Sequence, residues 1–67
     1  MKHYTLRNGD EGQEVVRLQT ALGGLDADGK FGPNTEQAVK DYQTKKDLVS
    51  DGIAGPATLG SLGIPVE

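Results

Sequence analysis

One phrase, written twice, limits what this chain can become. LDADGKFGPNT begins at Leu25 and LVSDGIAGPAT at Leu48, with Leu, Asp-Gly, Gly-Pro and Thr at identical offsets. Each copy reads as a tight Asp-Gly turn, a short extended pair (Lys30-Phe31 and Ile53-Ala54), and a Gly-Pro step that opens a helix. Asp28 and Asp51 can each accept a hydrogen bond from the backbone two residues on, closing an Asx turn. Gly29 and Gly52 admit the positive φ such a turn needs. Proline loses nothing at the first helical position, where its missing N–H has no helical partner anyway. Thr35 and Thr58 follow two residues later, placed for their hydroxyls to reach back to an orphan N–H of the first turn. GDEGQEVVRL, from Gly9, reads as a worn third copy in which Gly12-Gln13 replaces Gly-Pro.

The helices follow from the spacing of apolar residues between these turns. In GQEVVRLQTALGG, Val15, Leu18 and Leu22 recur at helical intervals with Gln19 on the same face, which predicts a helix over 13–23. A second helix opens at Pro33 with a stripe of Thr35, Ala38, Val39, Tyr42 and Lys46, and ends before Asp47. The third opens at Pro56, turns Leu59 and Leu62 inward, and stops at Gly63 and Pro65. The expected fold is all-α: a small three-helix bundle of loop-plus-helix units. It forms a single domain over 1–67, with a core of about 6–63 and tails at 1–5 and 64–67.

At 67 residues the chain stands near the lower limit for independent folding. Cores of this size seldom supply more than about 3–5 kcal/mol without a staple, so helix starts fixed by local turn chemistry matter here. There is no cysteine, which excludes a disulfide framework and a thiolate metal site. A net charge of −3 with scattered Lys and Arg argues against a nucleic-acid partner. No apolar run approaches the ~20 residues that span a bilayer. MKHYTLRNG lacks the apolar middle of a secretory signal, so export information lies elsewhere or release depends on lysis.

Assembled, LRNGDEGQEVVRLQTAL, DGKFGPNTEQAVKDYQ and DGIAGPATLGSL resemble the small three-helix peptidoglycan-binding domain, over Leu6 to Leu62. The resemblance implies a non-catalytic targeting module attached to a cell-wall hydrolase, such as a phage endolysin, that acts outside the cytoplasm. Its implied partners are bacterial peptidoglycan and a covalently linked catalytic domain, with the module itself a monomer. Leu59 stands where that family often has Trp, which removes aromatic surface. A diverged form of the domain occurs in metalloprotease propeptides. The alternative is therefore a propeptide-like or protein-interaction module that docks on an attached enzyme and regulates it.

Rival chemistries fare poorly on the residues themselves. A calcium loop needs an oxygen ligand first, glycine sixth and a bidentate acid twelfth. Placing Gly29 sixth puts Gly24 first and Thr35 twelfth; placing Gly52 sixth puts Val49 third and Thr58 twelfth. Neither is a calcium cage. Ten acidic residues make some carboxylate pair at the roughly 5–9.5 Å of a glycosidase unavoidable, so their count says nothing. The single histidine, His3, lies in the expected N-terminal tail, short of the three ligands a zinc hydrolase needs. The chain reads as a binding module with no cofactor and no metal.

Sugar-binding sites commonly stack a ring on an exposed aromatic, but only Tyr4, Phe31 and Tyr42 are aromatic here. Recognition then leans on hydrogen bonds, which suits a peptide stem with its amides and carboxylates better than a bare glycan. The helix starts after Gly32 and Gly55 offer unpaired N–H groups and partial positive charge to a carboxylate. The candidate ligand contacts are Asp28, Lys30, Phe31, Asn34, Thr35, Tyr42 and Gln43. Most of them also carry a structural reading: Phe31 and Tyr42 as core, Asp28 and Asp51 as turn-formers, Lys30 as a solvated lysine. Gln19 and Gln43 face inward, where an amide must find partners for every polar atom, so both read as braces for the repeated loops.

Overall fold

The computed structural model describes residues 5–64, which form α1 (Gln13–Leu22), α2 (Pro33–Lys45) and α3 (Pro56–Ser61). His3, Tyr4 and Pro65 lie outside the described residues. The N-caps are Gly12, Gly32 and Gly55, and no side chain caps any of the three helices. Gly12 of the worn third copy thus precedes a helix as Gly32 and Gly55 do, although its φ of 131° departs from their extended −113° and −90°.

Helix ends are set by local hydrogen bonding. α2 and α3 both close in Schellman motifs. After α2, Leu48 N–H donates to Gln43 O at 2.8 Å and Asp47 N–H to Thr44 O at 3.2 Å, with Asp47 at φ 61°. After α3, Ile64 N–H donates to Leu59 O at 2.9 Å and Gly63 N–H to Gly60 O at 3.0 Å. α1 stops at Leu22, one residue before the expected end, where Gly23 N–H donates to Gln19 O at 3.0 Å.

Among the described residues the opening segment, both repeats and all three helices contribute to one core: Leu6, Val15, Leu18, Phe31, Val39, Ala54, Leu59 and Ile64, with Leu22 and Leu62 packed against it. Burying one such side chain contributes roughly 1.5–3 kcal/mol. Phe31 and Ala54 occupy equivalent places in the two repeats and both belong to this core. The buried face of α2 is Thr35, Val39 and Gln43. Ala38 and Tyr42 are only half-buried and Lys46 is exposed, so the stripe turns toward Gln43 and away from the expected Tyr42–Lys46 line. Lys46 instead holds its Nζ 5.9 Å from the centroid of the Tyr42 ring, within cation–π range.

The segment before α1 ties the two turns together. Leu6 and Ala54 exchange both backbone bonds, at 3.0 and 2.8 Å. Gly9 N–H donates to Phe31 O at 2.9 Å, Phe31 N–H to Asp10 O at 2.9 Å, and Gly12 N–H to Gly29 O at 2.9 Å. These are isolated bridges, and no strand forms among the described residues.

Candidate functional site

Two buried glutamines organise the repeated loops. Gln19 Nε2 donates to Asp28 Oδ1 at 3.1 Å, Lys30 O at 3.0 Å and Thr35 Oγ1 at 3.0 Å, while its Oε1 accepts from Gly29 N–H at 2.9 Å. Gln43 repeats the pattern with Asp51 Oδ1 at 3.1 Å, Ile53 O at 2.9 Å, Thr58 Oγ1 at 3.1 Å and Gly52 N–H at 3.0 Å. The amide orientation is forced, because a glycine N–H only donates and a backbone carbonyl only accepts. Among the described residues, no buried side-chain polar atom lacks a partner. The Thr35 and Thr58 hydroxyls bond these glutamines and not the N–H groups of their own helices. The longer side chain reaches them from outside the helix.

The turns close as the sequence predicts. Lys30 N–H donates to Asp28 Oδ1 at 3.0 Å and Ile53 N–H to Asp51 Oδ1 at 2.9 Å. Gly29 and Gly52 hold φ of 79° and 76°. The Lys30 backbone N–H, and after it the Gln19 amide, hold the Asp28 carboxyl below its ordinary value against the opposing effect of desolvation. The Ile53 N–H and the Gln43 amide do the same for Asp51. Hydrogen bonds to the ionised form favour it.

Beside the first turn lies an open groove of about 720 Å³. One wall is the Gly23–Asp26 loop, the other the face of α2 that carries Asn34, Gln37 and Asp41, with Asp28, Lys30 and Thr35 between them. The corresponding groove at the second turn is about 370 Å³ and lined by Leu48, Val49, Ile53 and Ala57 among others. Ile53 stands there for Lys30 and Ala57 for Asn34, so the polar version of the site belongs to the first copy alone.

Of the residues singled out in the sequence, Asp28, Lys30, Asn34 and Thr35 meet at this groove, although Thr35 is only 3% exposed. Phe31 is 2% exposed and belongs to the core, so its ring offers no platform. Gln43 is 1% exposed and braces the second turn. Tyr42 is half-buried away from the groove, its hydroxyl 2.6 Å from Ser61 Oγ. Asp26, Gln37 and Asp41 also line the groove and are not among the residues the sequence singles out. For the last two a signal existed, since they follow Asn34 by three and seven residues and share its face of α2. Among the described residues no group of three or more His, Cys, Asp or Glu is placed to hold a metal.

Comparison with known proteins places this geometry in a family. The sequence model of the peptidoglycan binding domain matches residues 11–62. The zinc D-Ala-D-Ala carboxypeptidase of Streptomyces albus G is 42% identical over 65 residues, covering 87% of this chain and 26% of that protein. The N-acetylmuramoyl-L-alanine amidase CwlM of Mycobacterium tuberculosis is 43% identical over 56 residues, covering 76% of this chain and 14% of that protein. The crystal structure of the Burkholderia AP3 phage endolysin superposes with a TM-score of 0.86 at 44% identity, covering 88% of this chain and 24% of the endolysin. The chain spans between 14% and 26% of the length of these proteins.

Proposed function

Because this chain belongs to the peptidoglycan binding domain family, we propose that it is a non-catalytic wall-binding module that holds a covalently attached peptidoglycan hydrolase on its polymer outside the cytoplasm. The observation that carries this reading is the polar groove of the first repeat. The braces tie up Gln19, Thr35 and one oxygen of Asp28, while Lys30 and Asn34 stay exposed at the groove. Lys30 and the start of α2, uncapped by any side chain, present positive charge and backbone donors to a carboxylate. No aromatic ring among the described residues lines the groove, which favours a stem peptide over a bare glycan. The module acts as a monomer and performs no chemistry. Tethering raises the apparent affinity of a weak site by ~10²–10⁴-fold when both ends engage, so modest intrinsic binding is sufficient.

The test is sedimentation of the chain with purified insoluble peptidoglycan. The wall-binding reading predicts a pellet; a regulatory module that docks only on its enzyme predicts that the chain stays in the supernatant. Lys30→Ala and Asn34→Ala reduce the pelleted fraction at unchanged melting temperature. Undiminished pelleting of both variants moves the site away from this turn.

A further inference from the structure

The charge layout of the groove specifies more than attachment to the wall. Asn34 stands in the first turn of α2, beside Lys30, and Asp41 stands seven residues further along the same helix face. At ~1.5 Å rise per residue that separation is about 10 Å along the axis. The facing loop adds Asp26 and the turn adds Asp28. Among the described residues lining the groove, Lys30 is the one cation against three carboxylates. A ligand bearing only carboxylates meets favourable charge only at Lys30 and the adjacent start of α2. A ligand with a carboxylate at one end and an ammonium at the other meets complementary charge at both.

Taking this groove as the wall-binding site proposed above, we infer that it selects stem peptides carrying a free side-chain amine, held at Asp41 and Asp26, with a carboxylate at Lys30 and the start of α2. The rise of about 10 Å along α2 from Asn34 to Asp41 matches the span of roughly three extended residues. Asp41 is exposed and Oδ1 already accepts from Gln37 Nε2 at 3.0 Å, a bond that steadies the carboxylate along the helix. An ionised carboxylate has about four lone-pair sites, so this bond leaves room for an ammonium. A side-chain amine has an unperturbed pKa near 10.4 and is charged at neutral pH. Cross-linking of the wall acylates that amine and removes its charge. The groove would therefore concentrate the attached hydrolase where stems are not cross-linked.

The experiment titrates the isotopically labelled chain with two soluble stem peptides that differ only in acetylation of the diamino-acid side chain, following backbone amide shifts. The free-amine peptide is expected to bind roughly 2–5-fold tighter, the range of an exposed ion pair, with the preference shrinking as salt rises. Asp41→Asn keeps a carbonyl oxygen for Gln37 and should bring the two affinities together. Asp26→Asn is the second variant and should narrow the gap as well, while Asp47→Asn, at the other repeat, should leave it unchanged. Equal affinity for the two peptides, with shifts in the groove, overturns the amine preference and leaves the wall-binding reading standing. Failure of either peptide to shift the groove, while sacculi still pellet the chain, overturns both the groove as the site and the preference. A chain that stays in the supernatant removes the proposed function itself.

Discussion

Replacing Gln43 by leucine tests the central brace, because the shape is nearly kept while all four of its hydrogen bonds disappear. Two of the groups left behind are buried, the Gly52 N–H and the Thr58 hydroxyl. Each buried polar group without a partner costs about 1–3 kcal/mol. The Asp51 carboxylate is exposed and the Ile53 carbonyl half-buried, so both can turn to water at little cost. Exchanging a buried amide for methyl groups returns about 1–2 kcal/mol. The two orphaned groups cost roughly 4 kcal/mol at mid-range, so the net loss centres near about 2.5 kcal/mol, a large share of what a core this small supplies. Urea unfolding followed by far-UV circular dichroism should show a midpoint near or below the start of the wild-type transition. Adding Thr58→Val to Gln43→Leu removes one orphan and should recover about 1 kcal/mol, whereas Thr58→Val alone destabilises. The expected double-mutant cycle therefore has a coupling of at least about 1 kcal/mol. A Gln43→Leu midpoint within ~0.5 kcal/mol of wild type, or a strictly additive cycle, refutes the brace as a source of stability.

Gly29→Ala and Gly52→Ala should each lower stability by at least about 1 kcal/mol, because both positions hold positive φ. Gly29→Ala should be the worse: its new Cβ meets the stiff Val16 Cγ2 at 3.1 Å, whereas at Gly52 the close atoms are flexible stems of Glu36 and Lys40 at 3.0 Å. Equal melting temperatures for the two variants contradict this ordering. Asp47→Gly relieves a left-handed residue in the α2 Schellman motif and should raise the melting temperature by a few degrees, at about 0.5–1 kcal/mol; a lowered value shows that the aspartate side chain does something more. Asp28 and Asp51 are depressed below their ordinary 3.8 in the folded chain. Their contribution to stability is complete above that value and disappears as pH falls through the lower folded-state values. Urea midpoints should therefore be flat from about pH 7 to 5 and drop below about 4, and the double variant Asp28→Asn/Asp51→Asn, which keeps both acceptors, should flatten that acid limb.

What could be read in the sequence was whatever local chemistry decides. Gly32-Pro33 and Gly55-Pro56 mark their helix starts to the residue, because proline fixes φ and lacks the donor a helix interior requires. Gln19 and Gln43 were identifiable as braces because an inward-facing amide must be satisfied. The end of α2 before Asp47 was legible too, although the left-handed residue that follows it is an aspartate where glycine is the usual sign. Sequence proximity points the two threonine hydroxyls to their own helices, while the true donors sit on the preceding helix. The site divides in the same way. Asp28, Lys30 and Asn34 share one turn and Asp41 follows on the same face of α2, but Asp26 joins them only once the Gly23–Asp26 loop faces that helix, a placement no local pattern encodes.

The pairing of Leu6 with Ala54 governs how this domain comes into being. A ribosome releases the first partner long before the second, so the reciprocal bonds form only when nearly all of this domain has emerged. Cleavage between the two Asp-Gly corners leaves the amino-terminal fragment without the partner of Leu6, and the carboxy-terminal fragment without the partner of Ala54. Despite its internal duplication, the domain is assembled and lost as one cooperative body.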